Sequence, residues 1–222
     1  MKSRTMSTKE LVMLAMISAI AYAMVCVCRI PLVFADFLKY EPKDVIITIG
    51  GFLFGPLAVI GVSLVVSLVE MVTISTTGPI GMIMNVLSTC AFSCTAALIY
   101  KKKHTLKGAI LGLSMGVVLT TIVMILWNYL ITPLYQGVPR EAIVQMLIPV
   151  YLPFNLLKGT INAGIILLIY KPIVTNLRKL GLLNKNEAAA APQRKLRLEV
   201  VLLALLLLVS CTLFVLAHQG II

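Results

Sequence analysis

The sequence is poor in charge and poorer still in acid: 12% of its 222 residues are charged, and only 8 are Asp or Glu. Catalytic material is equally scarce. The two histidines, His104 and His218, lie in flanking segments with no acid at catalytic spacing. No phosphate-cradling glycine loop and no nucleophile elbow is found, so any pumping must be powered by a partner or by ions. The alternating ten-residue segments of a membrane β-barrel are also missing. Five cysteines, Cys26, Cys28, Cys90, Cys94 and Cys211, lie in or beside apolar runs. Cys90 and Cys94 share a helix face, but no His or carboxylate of metal-site spacing joins them. Packing as small hydrophobes is the better reading.

What is abundant is hydrophobic length. The chain is 60% hydrophobic with a mean hydropathy of +1.04, and several runs reach the ~20 residues that a bilayer-spanning helix needs. The spacing predicts helices at about 10–30, 44–56, 58–75, 79–100, 108–132 and 149–171, and a distinct one at about 199–217. Ala21-Tyr22-Ala23 gives the first run the look of a signal peptide. Its hydrophobicity continues well past that point, which favours a retained helix. Gly55-Pro56 enforces a tight turn between the second and third helices. Pro139 suits the first turn of a short lid or interfacial helix ahead of the sixth span. The expectation is an all-α integral membrane protein. Residues 1–175 form a six-helix bundle, 176–198 a basic, alanine-rich linker, and 199–222 an extra C-terminal transmembrane helix.

The net charge of +11 could suggest nucleic acid, but its placement excludes that partner. Basic residues cluster in short flanks between apolar runs. Fourteen precede helix 1 or follow helices 4 and 6, against Arg29, Lys39, Lys43 and Arg140 on the opposite side. The amino terminus is therefore expected in the cytoplasm of a multi-pass cell-membrane protein.

Against this apolar background Lys158 stands out. It lies roughly 12 Å inside the run that begins at Pro149, too deep for easy snorkelling. A charge at that depth costs about 2.5–3.5 kcal/mol on the lenient insertion scale and should face a polar cavity. Asn155 and Asn162 share its helical face at i−3 and i+4. The competing reading is a helix–helix hydrogen-bond cluster without a ligand. Asn128, between Trp127 and Tyr129, lies at a depth similar to Asn155; the two aromatics by themselves are also what an interface anchor requires. Glu70, late in helix 3, is either a binding-site acid or a structural partner for a basic group such as Lys158 or Arg29. The first loop mixes charges with aromatics. It could close over a ligand through Phe37 and Tyr40, or serve as a solvated connector. Helix 1 carries Ala15, Ala19 and Ala23 at four-residue spacing, a small-residue stripe that permits close helix contact in membranes.

Three strings, Leu38-Lys-Tyr-Glu-Pro-Lys-Asp, Gly50-Gly-Phe-Leu-Phe-Gly-Pro and Gly78-Pro-Ile-Gly-Met-Ile-Met-Asn, resemble the substrate-binding subunits of energy-coupling factor (ECF) transporters. Leu126-Trp-Asn-Tyr-Leu-Ile-Thr-Pro-Leu-Tyr, Gly137-Val-Pro-Arg-Glu-Ala and Leu152-Pro-Phe-Asn-Leu-Leu-Lys-Gly look like the riboflavin-specific branch. The resemblance covers roughly residues 8–175. It implies a six-helix subunit that takes up riboflavin from outside the cell. Such a subunit docks on a membrane coupling subunit with two cytoplasmic ATPases, which use the ATP; the chain itself carries no cofactor and is no enzyme. By resemblance, Ala15, Ala19 and Ala23 face the coupling subunit, and Asn128, Asn155 and Lys158 contact the flavin. Leu38 and Asn85, which fall within the quoted strings, join Phe37, Tyr40, Glu70 and Asn162 in the expected site. The seventh helix departs from the six-helix pattern.

The ligand's chemistry agrees. The flavin pyrimidine edge alternates carbonyl acceptors with an imide N–H, which a carboxamide can match with its donor and its acceptor. Lysine can only donate. Rivals are the same architecture bound to thiamine or a pterin, a membrane enzyme, and a lone channel or carrier. The enzyme lacks an acid–base or metal constellation. The channel would need a polar stripe through several helices, whereas the intramembrane polar groups gather near one side.

Overall fold

The computed structural model describes residues 7–31 and 38–179, together with 205–206 and 209–210. Helix α1 (Thr8–Val27) starts at a reciprocal cap: Ser7 Oγ accepts from the Glu10 amide, and the Ser7 amide donates to Glu10 Oε2 at 2.9 Å. A two-residue antiparallel ribbon follows, β1 (Ile30–Pro31) with β2 (Lys39–Tyr40), Ile30 opposite Tyr40. Helix α2 (Lys43–Phe54) ends at Gly55, whose φ of 92° is open to glycine at little cost. Pro56 at once starts α3 (Pro56–Thr73).

The fourth span is continuous from Gly78 to Lys103. Helix α4 (Gly78–Thr89) passes through a π-helical turn at Cys90–Cys94 into α5 (Thr95–Lys103). His104 turns the chain with φ 42°, and Thr105 Oγ1 caps α6 (Leu106–Leu130) through the Gly108 amide. A short α7 (Thr132–Gln136) leads to α8 (Arg140–Met146). Here the structure departs from expectation. Helix α8 is no separate lid: it runs through a second π-helical turn, Leu147–Tyr151, into α9 (Leu152–Lys179). Pro149 sits inside that turn and Pro153 in the first turn of α9, so the missing N–H donors are absorbed where the ladder is already widened. Helix α9 also continues past residue 175, the expected end of the bundle. The linker beyond Lys179 and most of the seventh helix lie outside the described residues.

Among the described residues five helical stretches are long and apolar enough to cross a membrane, and the twelve-residue α2 packs among them, contacting α1, α3, α5 and α9. Val45, Ile47, Ile49 and Phe52 of α2 join Val59 and Val66 of α3, Phe92, Ala96 and Leu113 in one buried core. Exposed leucines, valines and isoleucines around it are what a lipid-facing surface requires.

Candidate functional site

The polar groups of the bundle gather at the end that carries the ribbon. Two charges are met there by design of the chain entering α2. Lys43, at its first position, is 1% exposed, and its Nζ lies 2.7 and 2.6 Å from the two Glu70 carboxylate oxygens. Glu41 stands 3.4 Å from the same ammonium and 2.9 Å from Arg29 Nε. Asn85 Nδ2 donates to Glu70 Oε2 at 2.9 Å. Arg29, Glu41, Lys43, Glu70 and Asn85 thus form one alternating network that ties the ribbon to α2, α3 and α4. The partner of Glu70 is therefore Lys43, not Lys158 or Arg29. Lys43 is correspondingly no flanking surface charge: it is the buried end of this network.

Asp44, the next residue, serves a second group. Its Oδ1 accepts from Thr89 Oγ1 at 2.6 Å, and its Oδ2 lies 3.5 Å from Lys158 Nζ. Lys158 keeps 15% of its side chain exposed. On the same helix, Asn162 Oδ1 accepts from Tyr40 Oη at 2.8 Å. Tyr40 packs with Phe154 and Leu157, and Leu38 covers them. Burial, with the Asp44 charge nearby, pushes the Tyr40 hydroxyl far above its usual pKa, so it stays a donor. Asn162 therefore anchors the ribbon to α9.

The remaining amides are oriented by their own helices. Asn155 Nδ2 donates to the Tyr151 carbonyl and Asn128 Nδ2 to the Met124 carbonyl, each at 2.7 Å. Because those carbonyls can only accept, the amide orientation follows from chemistry. Asn128 Oδ1 further accepts from Thr132 at 2.9 Å. Asn155 Oδ1 has no hydrogen bond among the described residues. The structure so brings Lys158 to Asp44, Tyr40 and Leu38 to Asn162 and its neighbours, and Glu70 to Asn85. No direct bond joins Asn128 to this set among the described residues, and Phe37 lies outside them.

Sequence reasoning missed Asp44, Thr89 and Glu41. The signal was present: two consecutive charges, Lys43 and Asp44, open a helix that is otherwise almost wholly apolar.

Away from the ribbon, Ala15, Ala19 and Ala23 are all exposed on α1. Beside them an apolar groove of about 520 Å³ runs between α1, α2 and the far part of α9, with Val12, Met16, Ile46, Ile49 and Ile173 in its walls. It offers no amide or acid to a polar ligand.

Residues 9–173 match the family model described as "ECF transporter, substrate-specific component". The chain belongs to this family. Its members are transporter components, not enzymes. Three relatives carry riboflavin transport in their names. The chain is 30% identical to riboflavin transporter RibU of Staphylococcus aureus over 186 residues, which is 81% of this chain and 97% of that one. It is 32% identical to RibU of Streptococcus thermophilus (78% and 87%) and 29% identical to riboflavin transporter FmnP of Bacillus subtilis (74% and 92%). A solved structure titled "Structure and mechanism of the S component of a bacterial ECF transporter" superposes with a TM-score of 0.65 at 30% identity. It covers 77% of this chain and 98% of its own. The membrane-embedded helical fold and the family are thus settled together.

Proposed function

We propose that this chain captures riboflavin at its ribbon end and delivers it to an ATP-driven ECF complex. The observation that carries the reading is the pairing of Lys158 with Asn155 on one face of α9. Lys158 Nζ supplies only donors, and Asn155, its Nδ2 turned to the Tyr151 carbonyl, presents Oδ1 as an acceptor. A donor beside an acceptor complements a carbonyl beside an imide N–H, the pattern of the flavin pyrimidine edge. Asn128 Oδ1 on α6 adds a second acceptor, already partly used by Thr132. Leu38, Tyr40 and Phe154 give an apolar wall for the dimethylbenzene edge. Glu70 and Asn85 support the reading indirectly, by holding Lys43 and hence the start of α2. The names of the three relatives point to the same vitamin.

The remaining parts of the reading concern assembly. The ribbon end faces outward and the amino terminus the cytoplasm, as the basic flanks favour. The exposed alanine stripe of α1 docks on the coupling subunit, and two ATPases on the cytoplasmic side drive uptake. The test is binding. Replacing Lys158 by Met keeps the length and removes the donor, which should weaken riboflavin binding by about tenfold or more. Quenching of riboflavin fluorescence by the purified protein reads this directly, with thiamine and a pterin as controls. Unchanged affinity in folded Lys158→Met protein, or tighter binding of a control vitamin, would overturn the assignment.

A further inference from the structure

We infer that Asp44 is the positioning residue for Lys158, holding its ammonium in place and aimed while leaving its protons free for the ligand. The inference rests on the riboflavin reading of Lys158. Among the described residues Asp44 is the only acid within ion-pair distance of Lys158. The neighbouring acids are committed elsewhere: Glu70 to Lys43 and Asn85, Glu41 to Arg29 and Lys43. Without Asp44 the ammonium would have no counter-charge among the described residues, a position that favours withdrawal toward water.

The geometry separates holding from bonding. A charge-assisted N–H···O bond closes to about 2.7–2.9 Å, whereas Lys158 Nζ stands 3.5 Å from Asp44 Oδ2. The attraction acts at that distance, yet among the described residues no ammonium proton is locked into a short bond. What fixes Asp44 is the rest of its surroundings. Thr89 Oγ1 donates to Oδ1 at 2.6 Å, and Thr48 Oγ1 donates to the Asp44 backbone carbonyl at 2.6 Å. Thr48 is in turn 2.7 Å from Ser93 Oγ, inside the π-helical turn that follows α4. The carboxylate is therefore set by α2, α4 and the π turn together, and Lys158 of α9 is set by the carboxylate.

A double-mutant cycle on the full chain tests this, with riboflavin affinity read by fluorescence quenching and folding by thermal unfolding and gel filtration. Asp44→Asn should lose about tenfold or more in affinity, as expected for a lost charge-assisted contact. In a Lys158→Met background the same change should cost nothing further, because Asp44 acts only through Lys158. Thr89→Val keeps both charges and should weaken binding by several-fold with the fold intact. Should Asp44→Asn alone fail to fold, the double variant leaves no unpaired ammonium and, with Thr89→Val, still decides the matter. A loss that repeats in full without Lys158 would make Asp44 merely structural and overturn the inference. So would wild-type affinity in Asp44→Asn or in Thr89→Val. Wild-type affinity in Lys158→Met would instead sink the riboflavin reading, and this inference with it.

Discussion

At the scale of single residues, burial of Lys43 is tolerable only because Glu70 takes its charge. An ammonium 1% exposed, with both carboxylate oxygens within 2.7 Å, is weak evidence of net stability. Breaking such a pair from one side is costly all the same, about 3–5 kcal/mol, because the other charge stays buried. Lys43→Met should accordingly destabilise the protein by that amount. The double variant Lys43→Met/Glu70→Leu should recover most of the loss, with Glu41 still paired to Arg29. Unfolding midpoints in detergent check both values. That Glu70 needed a basic partner was legible in the sequence; which one was not. Depth along each helix can be read from residue numbers, and depth favours Lys158 or Arg29. The face of α2 that turns inward cannot be read that way, so Lys43 looks like a topology charge. Tyr40 gives a smaller case. Tyr40→Phe leaves the Asn162 carbonyl without its donor at a 1% exposed position, an expected loss of about 1–3 kcal/mol by the same measurement.

Elements meet here through small residues, and two helices show opposite uses of them. On α6, Gly112 and Gly116 let the backbone of the neighbouring span approach. A methyl group added at Gly116 would stand 2.7 Å from the Phe92 carbonyl oxygen, and one at Gly112 2.8 Å from that of Ala96. Both are backbone atoms that cannot swing aside. Gly116→Ala should therefore cost about 1–3 kcal/mol by overpacking, despite the higher helix propensity of alanine. On α1 the alanines turn outward instead. If they receive the coupling subunit, Ala19→Leu should abolish riboflavin uptake in cells that supply the partners while leaving quenching by the purified protein unchanged. Normal uptake would move the docking face elsewhere. The α1 stripe and the Gly-Pro turn before α3 were legible because their meaning is local. The two π-helical turns were not. Pro149 reads as the start of a helix when only the sequence is at hand, since nothing in it shows that α8 lines up with α9 closely enough for the ladder to continue.

For the whole molecule the relevant fact is how the charged network and the groups proposed to meet the ligand share one end. The ribbon, α2, α3, α4 and α9 all send polar side chains there, and each group named in the site lies within residues 29–162. The family match closes at residue 173, and 77% of this chain suffices to cover nearly all of the solved relative. The clustering of intramembrane polar residues was legible from the sequence as a sum over helices. Their pairing was not, because it depends on three-dimensional neighbours up to 122 positions apart, as for Tyr40 and Asn162. For the C-terminal stretch the sequence alone speaks. Its core, Val200-Val-Leu-Leu-Ala-Leu-Leu-Leu-Leu-Val, has no amide or charge to place in a polar site, and a segment so uniformly apolar gains most by facing lipid. The stretch before it, with its Asn, Lys and Ala residues and a Pro-Gln pair, has the composition of a linker. A chain truncated after Asn184 keeps every residue of α9 and every group of the site. It should bind riboflavin with an affinity within about threefold of the full chain, a difference below 1 kcal/mol, in the same fluorescence assay. A truncated protein that is monodisperse and thermally stable but no longer quenches riboflavin would place the last helix inside the binding unit and break the six-helix account.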